Sequence, residues 1–547
     1  MDAVQLRDAD RPDAPAPPPG TSGVWFEDVT EEIGVSFVRS PDHGYIDLPD
    51  RMMAGVCILD VDGEPPLDIL FTHRPLGDQG SHLYVGAEML RYEDETLERG
   101  LGDMGDVFGC IAFDADGDSD DDLLVYGMGL AKIYRNDAGI FTHDPARLSI
   151  PLEPNAMISS AAAGDLDGDG DLDVVLAGFL LHRTEFESEE GCPVEGCRAA
   201  VEFHPAIPNH LLYQDEAGIC IKQPSSVAEG LATPEPTLVV TISQLDGQGL
   251  PDIYVANDLG FRFNNRPLVR DGTGTYIDQG LSIGLQQDRD GVGMFSMGVT
   301  HGDLNGDGIM DHSVSNFEQR VSPVFICDPI TGCSDQSIAW GTDEFADTFR
   351  WGNAIVDLDR DGWSDLIEAT GHVFLDPELV VYGSTMSMRQ RPNLYWNQEG
   401  RTLRVLDPLP GTALDQELSA RGIAIVDLDD DGAPDVLLNT TEGAPVVLRN
   451  VAPARGAWLR VVLEGLPPNT GGVGARVEVR AEGRLWVRER IVGEGFLGSF
   501  DPRLHFGLGG VGPVDVRVIW PDGEESALEG VGTNAELRLR HPSLPEV

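Results

Sequence analysis

The residues of this chain best suited to chemistry are carboxylates in a repeated nine-residue pattern. DLDGDGDLD, running from Asp165 to Asp173, places acids at positions 1, 3, 5 and 9 and glycines at positions 4 and 6. Alternate acids on a tight turn converge on one point, and the glycines let the backbone curl so that the carbonyl of position 7 can join them. Several hard oxygen ligands on a flexible loop suit Ca²⁺, whereas Mg²⁺ demands near-octahedral geometry and keeps its waters. With no cation, four converging carboxylates repel one another strongly.

The same spacing recurs along the chain, and each copy predicts a ligand set. DADGDSDDD offers Asp114, Asp116, Asp118 and Asp122; DLDGDGDLD offers Asp165, Asp167, Asp169 and Asp173. DLNGDGIMD offers Asp303, Asn305, Asp307 and Asp311. DLDRDGWSD offers Asp357, Asp359, Asp361 and Asp365, and DLDDDGAPD offers Asp427, Asp429, Asp431 and Asp435. DVDGEPPLD is weaker, with Asp60, Asp62, Glu64 and Asp68, and QLDGQGLPD has only Asp246 and Asp252 as charged ligands. The expectation is about five to seven bound Ca²⁺, with the fourth loop weak or empty. An EF-hand would need a bidentate Glu at position 12 and flanking helices, but Leu176 and Val314 stand there, followed by strand formers. One such loop could be a solvated hairpin turn, since Asp and Gly are turn residues; five copies at one spacing argue against that.

The elements that position these loops follow from their flanks. The seven copies start 54, 51, 79, 59, 54 and 70 residues apart. Each is preceded by a short apolar run such as GCIAF or GIAIV and followed by another such as LLVYG or VLLNT. Turn clusters such as IYRNDAGIF then lead to further strands, giving about four short strands per unit. The fold class expected is all-β, a seven-bladed β-propeller over residues 23–450, whose closure protects its edge strands. Residues 1–22, rich in Pro, Ala and Asp, read as a flexible tether with no secretory signal visible.

After Val451 the composition changes. Residues 451–547 carry a net charge of −2, the remainder −54, and no acidic loop follows Asp435. Alternation in ARVEVRA and PVDVRVIW predicts a small β-sandwich-like domain over 451–547, standing on its own after a short linker. Its arginines Arg476, Arg480, Arg484, Arg488 and Arg490 could dock on the acidic propeller or bind an anionic glycan, but a solvated strand face is the simpler reading.

Together these segments resemble a known family. The acidic loops look like the FG-GAP/VCBS-type repeats of integrin-α-like propellers. The whole chain resembles the cartilage acidic protein family with its C-terminal ASPIC/UnbV domain. VWFEDVTEEIGVSFV (Val24 to Val38), GVCILDVDG, SMGVTHGDLNGDGIMD and ATGHVFLDPE are similar to its propeller signatures, and the stretch from Asn469 to Gly523 is similar to ASPIC/UnbV nearly throughout. The resemblance covers about residues 24–535. It implies an extracellular or surface-exposed calcium-binding propeller, and it carries over no catalytic residue set.

The charge bounds the partners. With 37 Lys+Arg against 93 Asp+Glu the net charge is −56, which argues against nucleic acid and anionic membranes. No apolar stretch approaches the length of a membrane span. A protein or glycan ligand is the expected partner, and the chain is expected to be a monomer. Of seven cysteines, Cys192 with Cys197 and Cys327 with Cys333 are spaced for local disulfides; Cys57, Cys110 and Cys220 sit in apolar runs and read as buried strand residues. This usage points outside the cytoplasm, to the cell surface, the extracellular space or a periplasm.

No nucleophile, zincin, P-loop or dinucleotide motif is present. His372 in ATGHVF is the one residue that could serve as a ligand or general base, with a structural role the stronger reading. His301 and His312 flank the fifth loop and need no catalytic role. The expected function is therefore a non-enzymatic, calcium-stabilised binding or adhesion protein. The alternative is an enzyme or biosynthetic accessory protein with a pocket on a propeller face or at the domain junction.

Overall fold

The computed structural model describes residues 25–39, 48–75, 80–183, 201–215, 218–221, 228–247, 249–345, 347–374 and 386–545. The proposed tether and the Cys192–Cys197 pair lie outside them, as does the side chain of Cys220. The described chain is nearly all-β, with seven sheets built on antiparallel strands before residue 451, one of them joined by a short parallel strand from later in the chain, and two sheets after it.

Each of the seven sheets starts with a strand leading into an acidic loop. These strands are Gly55–Leu59, Val107–Phe113, Ala156–Gly164, Thr237–Ser243, Val299–Gly302, Arg350–Val356 and Ala420–Val426. Every residue in them is buried, which explains runs such as AMISSAAAG: small and apolar side chains are needed where strands from several sheets meet. Six of the steps from one first strand to the next around the ring bring the two together directly. The step from the fourth to the fifth is bridged by a 3.0 Å hydrogen bond between Thr241 Oγ1 and His301 Nε2. A glycine permits close approach of the seventh sheet to the first: a Cβ on Gly422 would meet the Ala54 carbonyl oxygen at 2.6 Å.

The ring closes through the N-terminal segment. Phe26–Asp28 forms the outermost strand of the seventh sheet, antiparallel to Val446–Asn450 with Phe26 opposite Asn450. A second tie is covalent, since Cys57 and Cys110, 53 residues apart, form a disulfide between the first strands of the first and second sheets. The two are buried, as expected of strand residues, but their pairing joins different repeats and so leaves no local spacing to read.

The C-terminal residues form two more sheets. Ala457–Glu464 lies between Leu504–Gly509 and, in parallel, Ala535–Arg540; the second sheet runs Arg484–Glu489, Arg476–Ala481, Val514–Ile519, Glu525–Val531. Their facing sides share a core that includes Leu459, Val477, Phe506 and Trp520. The expectation of a domain standing on its own needs correcting, because residues 491–501 leave this unit and enter the ring. Val492 pairs with Ala163, Gly495 with Val299, and Gly498–Ser499 runs parallel to Val56–Cys57. Asp501 N–H then donates to the Ile425 carbonyl at 2.9 Å, and the Phe496 ring lies 5.2 Å from that of Trp351. One segment thus touches the first strands of five sheets and plugs the axis of the ring. The composition change and short linker near Val451 suggested a separate unit, but a plug is held by contacts distant in sequence.

Candidate metal loops and the domain that covers them

Each acidic loop joins the first strand of a sheet to the second, and the ninth residue pairs with the last residue of the first strand: Gly164 with Asp173, Gly302 with Asp311, Val356 with Asp365. In six of the seven loops positions 4 and 6 take left-handed backbone, as at Gly168 (φ 87°) and Gly170 (φ 96°), whereas the first loop has Pro65 at position 6. Where side chains replace glycine there, Ser119, Arg360 and Asp430 still take positive φ, of 81°, 62° and 54°. The turn is thus imposed on those residues against their own preference.

The nine positions divide their work. Position 1 accepts backbone N–H groups from within the loop: Asp165 from Gly168 and Gly170 at 2.7 and 3.1 Å, Asp303 from Gly306 and Gly308 at 2.7 and 2.9 Å. Position 5 makes a smaller turn, accepting from position 7, as in Asp307 from Ile309 and Asp431 from Ala433. Position 9 holds the sheet together. Its Oδ2 accepts from the second loop residue, and its Oδ1 from the third strand: Asp173 from Leu166 and Gln214, both at 2.9 Å, and Asp435 from Leu428 and Asn450 at 2.9 and 2.7 Å. Asp68, Asp122, Asp252, Asp311 and Asp365 make the same two bonds. This bracing role of the ninth residue was not read from sequence, although its presence in all seven copies, including the degenerate fourth, was the available signal.

In the first, second, third and sixth loops three acidic side chains come together. Oxygens of Asp60, Asp62 and Asp68, of Asp114, Asp116 and Asp122, of Asp165, Asp167 and Asp173, and of Asp357, Asp359 and Asp361 each lie within 4.8 Å of one another. Burial drives these acids toward their neutral forms: Asp122 is pushed up to about 7, and Asp173 and Asp311 to about 8, despite the N–H bonds that oppose it. Asp357 and Asp365 are raised well above the ordinary range by burial and by their neighbouring carboxylates. Asp116 Oδ1 and Asp427 Oδ1 are buried without a hydrogen-bond partner. Buried carboxylate oxygens without a hydrogen-bond partner, on loops built of oxygen donors, fit a hard cation.

The loops are not equivalent. In the fourth, the Gln244 amide donates to the Gly249 carbonyl at 2.8 Å, so a donor stands where the others have an acceptor. In the sixth, Arg455 pairs with Asp359 at 2.9 Å. In the seventh, Arg449 pairs with Asp429 at 2.6 Å and Arg460 with Asp427 at 2.9 Å, which offsets part of the acid locally.

The C-terminal unit sits on this same face, and the arginine stripe is not a solvated face. Arg476 donates to the Gly308 carbonyl, Arg484 to the Gly362 carbonyl and Arg488 to Ser364 Oγ; Arg490 is buried. Arg480 alone conforms to the solvated reading, half exposed beside Glu478. The Arg484 guanidinium lies between the Trp363 and Trp486 rings, 4.4 and 4.7 Å from their centroids. The register puts Arg476 and Arg480 on one face of the two paired strands and Arg484 and Arg488 on the other, so only the docked geometry shows that Arg476, Arg484 and Arg488 all reach the loops.

Among the described residues, small cavities lie in this interface. One of about 120 Å³ lies between Asp303, Asp357, Trp363 and the 483–488 hairpin. Another, of about 110 Å³ at the channel mouth, is lined by Arg488, Arg490, Glu489, Glu494, Asp501 and His505 among others. Glu489 is driven up to about 8 by burial, and Glu494 Oε1 accepts from Thr300 Oγ1 and His301 N–H at 2.7 and 2.8 Å. The histidines singled out by sequence are all buried. His301 and His312 face each other through their Nδ1 atoms at 2.7 Å, and burial depresses both. His372 accepts the Phe374 N–H on Nδ1 and sets Nε2 3.3 Å from Glu318. Cys327 and Cys333 form a disulfide across the hairpin of the fifth sheet.

Residues 465–545, which supply the plug and most of the donors just described, match the family described as ASPIC and UnbV. Residues 114–176, with the second and third loops, match the FG-GAP-like repeat. The chain carries both domains. It is homologous to cartilage acidic protein 1 over most of its length. The human protein is 24% identical over 568 residues, covering 93% of this chain and 77% of the relative, and the Xenopus tropicalis protein is 26% identical over 321 residues, covering 55% and 45%. Among solved structures, a lectin of Agrocybe aegerita described as recognising non-reducing terminal N-acetylglucosamine covers 65% of this chain and 80% of its own at 16% identity, with a TM-score of 0.38. A rhamnogalacturonan lyase of Bacillus licheniformis covers 72% and 71% at 11% identity, with a TM-score of 0.36. Both likenesses are distant. No helix among the described residues is long and apolar enough to cross a membrane.

Proposed function

We propose that this chain is a calcium-binding, seven-bladed propeller of non-enzymatic function that presents a binding surface for a protein or glycan outside the cytoplasm. Each of the seven sheets is one blade. The loops starting at Asp114, Asp165, Asp303, Asp357 and Asp427 hold Ca²⁺ first, the loop from Asp60 binds weakly, and the loop from Gln244 binds weakly or not at all. One observation carries the reading: buried carboxylates converge within 4.8 Å and keep orphaned oxygens such as Asp116 Oδ1. Bound Ca²⁺ would supply the positive charge that lets those acids ionise, while position 1 and position 9 hold the loop in shape through their N–H bonds.

The disulfides Cys57–Cys110 and Cys327–Cys333, of a kind that persists where thiols are oxidised, support a place outside the cytoplasm. The relationship to cartilage acidic protein 1 supports the same placement. Equilibrium dialysis of metal-free protein against Ca²⁺ tests the assignment. Several bound ions per chain are expected, and a count of zero or one would overturn it.

A further inference from the structure

The ASPIC and UnbV domain grips three consecutive loops at one repeated atom, the carbonyl oxygen of position 6. In the fifth loop Gly308 accepts from Arg476 Nη2 at 2.7 Å. In the sixth, Gly362 accepts from Arg484 Nη2 and Trp486 Nε1, both at 2.9 Å. In the seventh, Gly432 accepts from His505 Nε2 at 2.9 Å. The donors come from three different strands and are chemically unlike, so the shared element is the loop position they reach.

That position is also tied to the candidate cation. The N–H of the same glycine donates to the first carboxylate of its loop: Gly308 to Asp303 at 2.9 Å, Gly362 to Asp357 at 2.7 Å, Gly432 to Asp427 at 2.9 Å. The three glycines sit at φ 85°, 93° and 81°. One glycine therefore joins a carboxylate that would ligate the ion to a carbonyl that holds the domain. Beyond these grips the domain continues through Arg488 and Glu489 into residues 491–501, which lie in the axial channel.

We propose that cation occupancy of the fifth, sixth and seventh loops and seating of the plug in the axial channel form one linked equilibrium. The inference rests on the calcium reading of the loops. When the ion leaves, the oxygens of Asp357, Asp359 and Asp361 lose the centre that would hold them together, so the loop spreads and turns the glycine between its two bonds. Its carbonyl leaves Arg484 and Trp486, and the plug loses the anchorage that holds it in the ring. Linkage makes the effect reciprocal, so a domain that grips the carbonyls raises cation affinity at those loops.

The third loop supplies a built-in control. A Cβ on its sixth residue, Gly170, would meet nothing within 4 Å, so that position is not gripped. The experiment uses the full chain and two readouts: bound Ca²⁺ by equilibrium dialysis, and amide hydrogen exchange of residues 491–501. Chelation is expected to raise exchange of the plug about tenfold or more while the strand Leu130–Asp137 in the second sheet stays protected. At saturating Ca²⁺, Asp357→Asn should deprotect the plug, whereas Asp165→Asn should cost one ion and leave the plug protected. Trp486→Phe, which removes one donor to Gly362, should lower the affinity of one site about fivefold. The proposal is overturned if plug protection is unchanged once dialysis shows the loops empty, or if Leu130–Asp137 opens together with the plug. A dialysis count of zero in the starting protein overturns the calcium reading itself and is recognised by that count alone.

Discussion

In the fourth loop, where glutamines replace the acids at positions 1 and 5, the Asp252 carboxylate still accepts the Arg270 N–H at 3.1 Å. Its other oxygen accepts the N–H groups of Leu245 and Asp246 at 3.0 and 3.3 Å. The ninth acid is therefore kept for bracing the sheet even where the loop is least suited to a cation. Asp252→Ala should destabilise the protein by about 1–3 kcal/mol per buried N–H left unpaired and leave the Ca²⁺ count unchanged. Asp173→Ala, in a loop with a complete ligand set, should lower stability and the count together. Urea unfolding alongside equilibrium dialysis distinguishes the two, and equal loss of ions in both variants would contradict the bracing role.

The raised acids give the metal-free protein an unusual pH dependence. Asp173 and Asp311 keep their protons in the folded state up to about 8, and Asp122 up to about 7, while in the unfolded chain they ionise near the ordinary value of 3.8. Between those limits the folded state binds more protons, so stability falls as pH rises from about 4 to about 8. Metal-free protein should melt at a higher temperature at pH 5 than at pH 8. Saturating Ca²⁺, which favours the ionised carboxylates, should shrink or reverse the difference. A metal-free melting temperature that climbs steadily over the same range would show that these acids are not held neutral.

Much of the ring was legible in the sequence because the loop repeats and the strands beside it are local. The spacing marks where the loops turn and which acids are near one another, and apolar runs such as GCIAF and LLVYG mark the two strands that carry them. What could not be read is contact between distant segments. Nothing near Phe26 announces that it pairs with Asn450, and nothing near Cys57 points to Cys110. The same limit applies to Val492 with Ala163 and Arg484 with Gly362. An alternating arginine strand looks identical whether water or another domain faces it, so the solvated reading held for Arg480 and failed for Arg476, Arg484, Arg488 and Arg490 for want of the partner surface.

The disulfide between Cys57 and Cys110 crosses from the first sheet to the second and closes a span of 53 residues. Its loss should cost up to about 4 kcal/mol through the freedom restored to the unfolded chain. The Cys57→Ala, Cys110→Ala double variant should fold with a lower urea midpoint and the same Ca²⁺ count. The Cys327–Cys333 bridge closes a span of only 6 residues and should matter less on this account. If removing Cys327–Cys333 proves as costly as removing Cys57–Cys110, the stabilisation does not come from loop closure.

Gly507 provides the sharpest test of how closely the ASPIC and UnbV domain follows the loops. A Cβ at this position would sit 1.9 Å from Asp357 Oδ2, the oxygen that accepts the Gly362 N–H. Its strand, Leu504–Gly509, also carries His505, which donates to the Gly432 carbonyl of the next loop. A methyl group cannot be absorbed here by a flexible side chain, because Asp357 is fully enclosed and Gly507 lies in a paired strand opposite Trp458. Gly507→Ala should therefore push the strand off the sixth loop, weaken one Ca²⁺ site and expose Trp363 and Trp486. The tryptophan emission should shift to longer wavelength, and dialysis should show one site weakened. An unshifted spectrum with full Ca²⁺ affinity would mean that the domain can move away from Asp357 without loosening either the loop or the paired tryptophans.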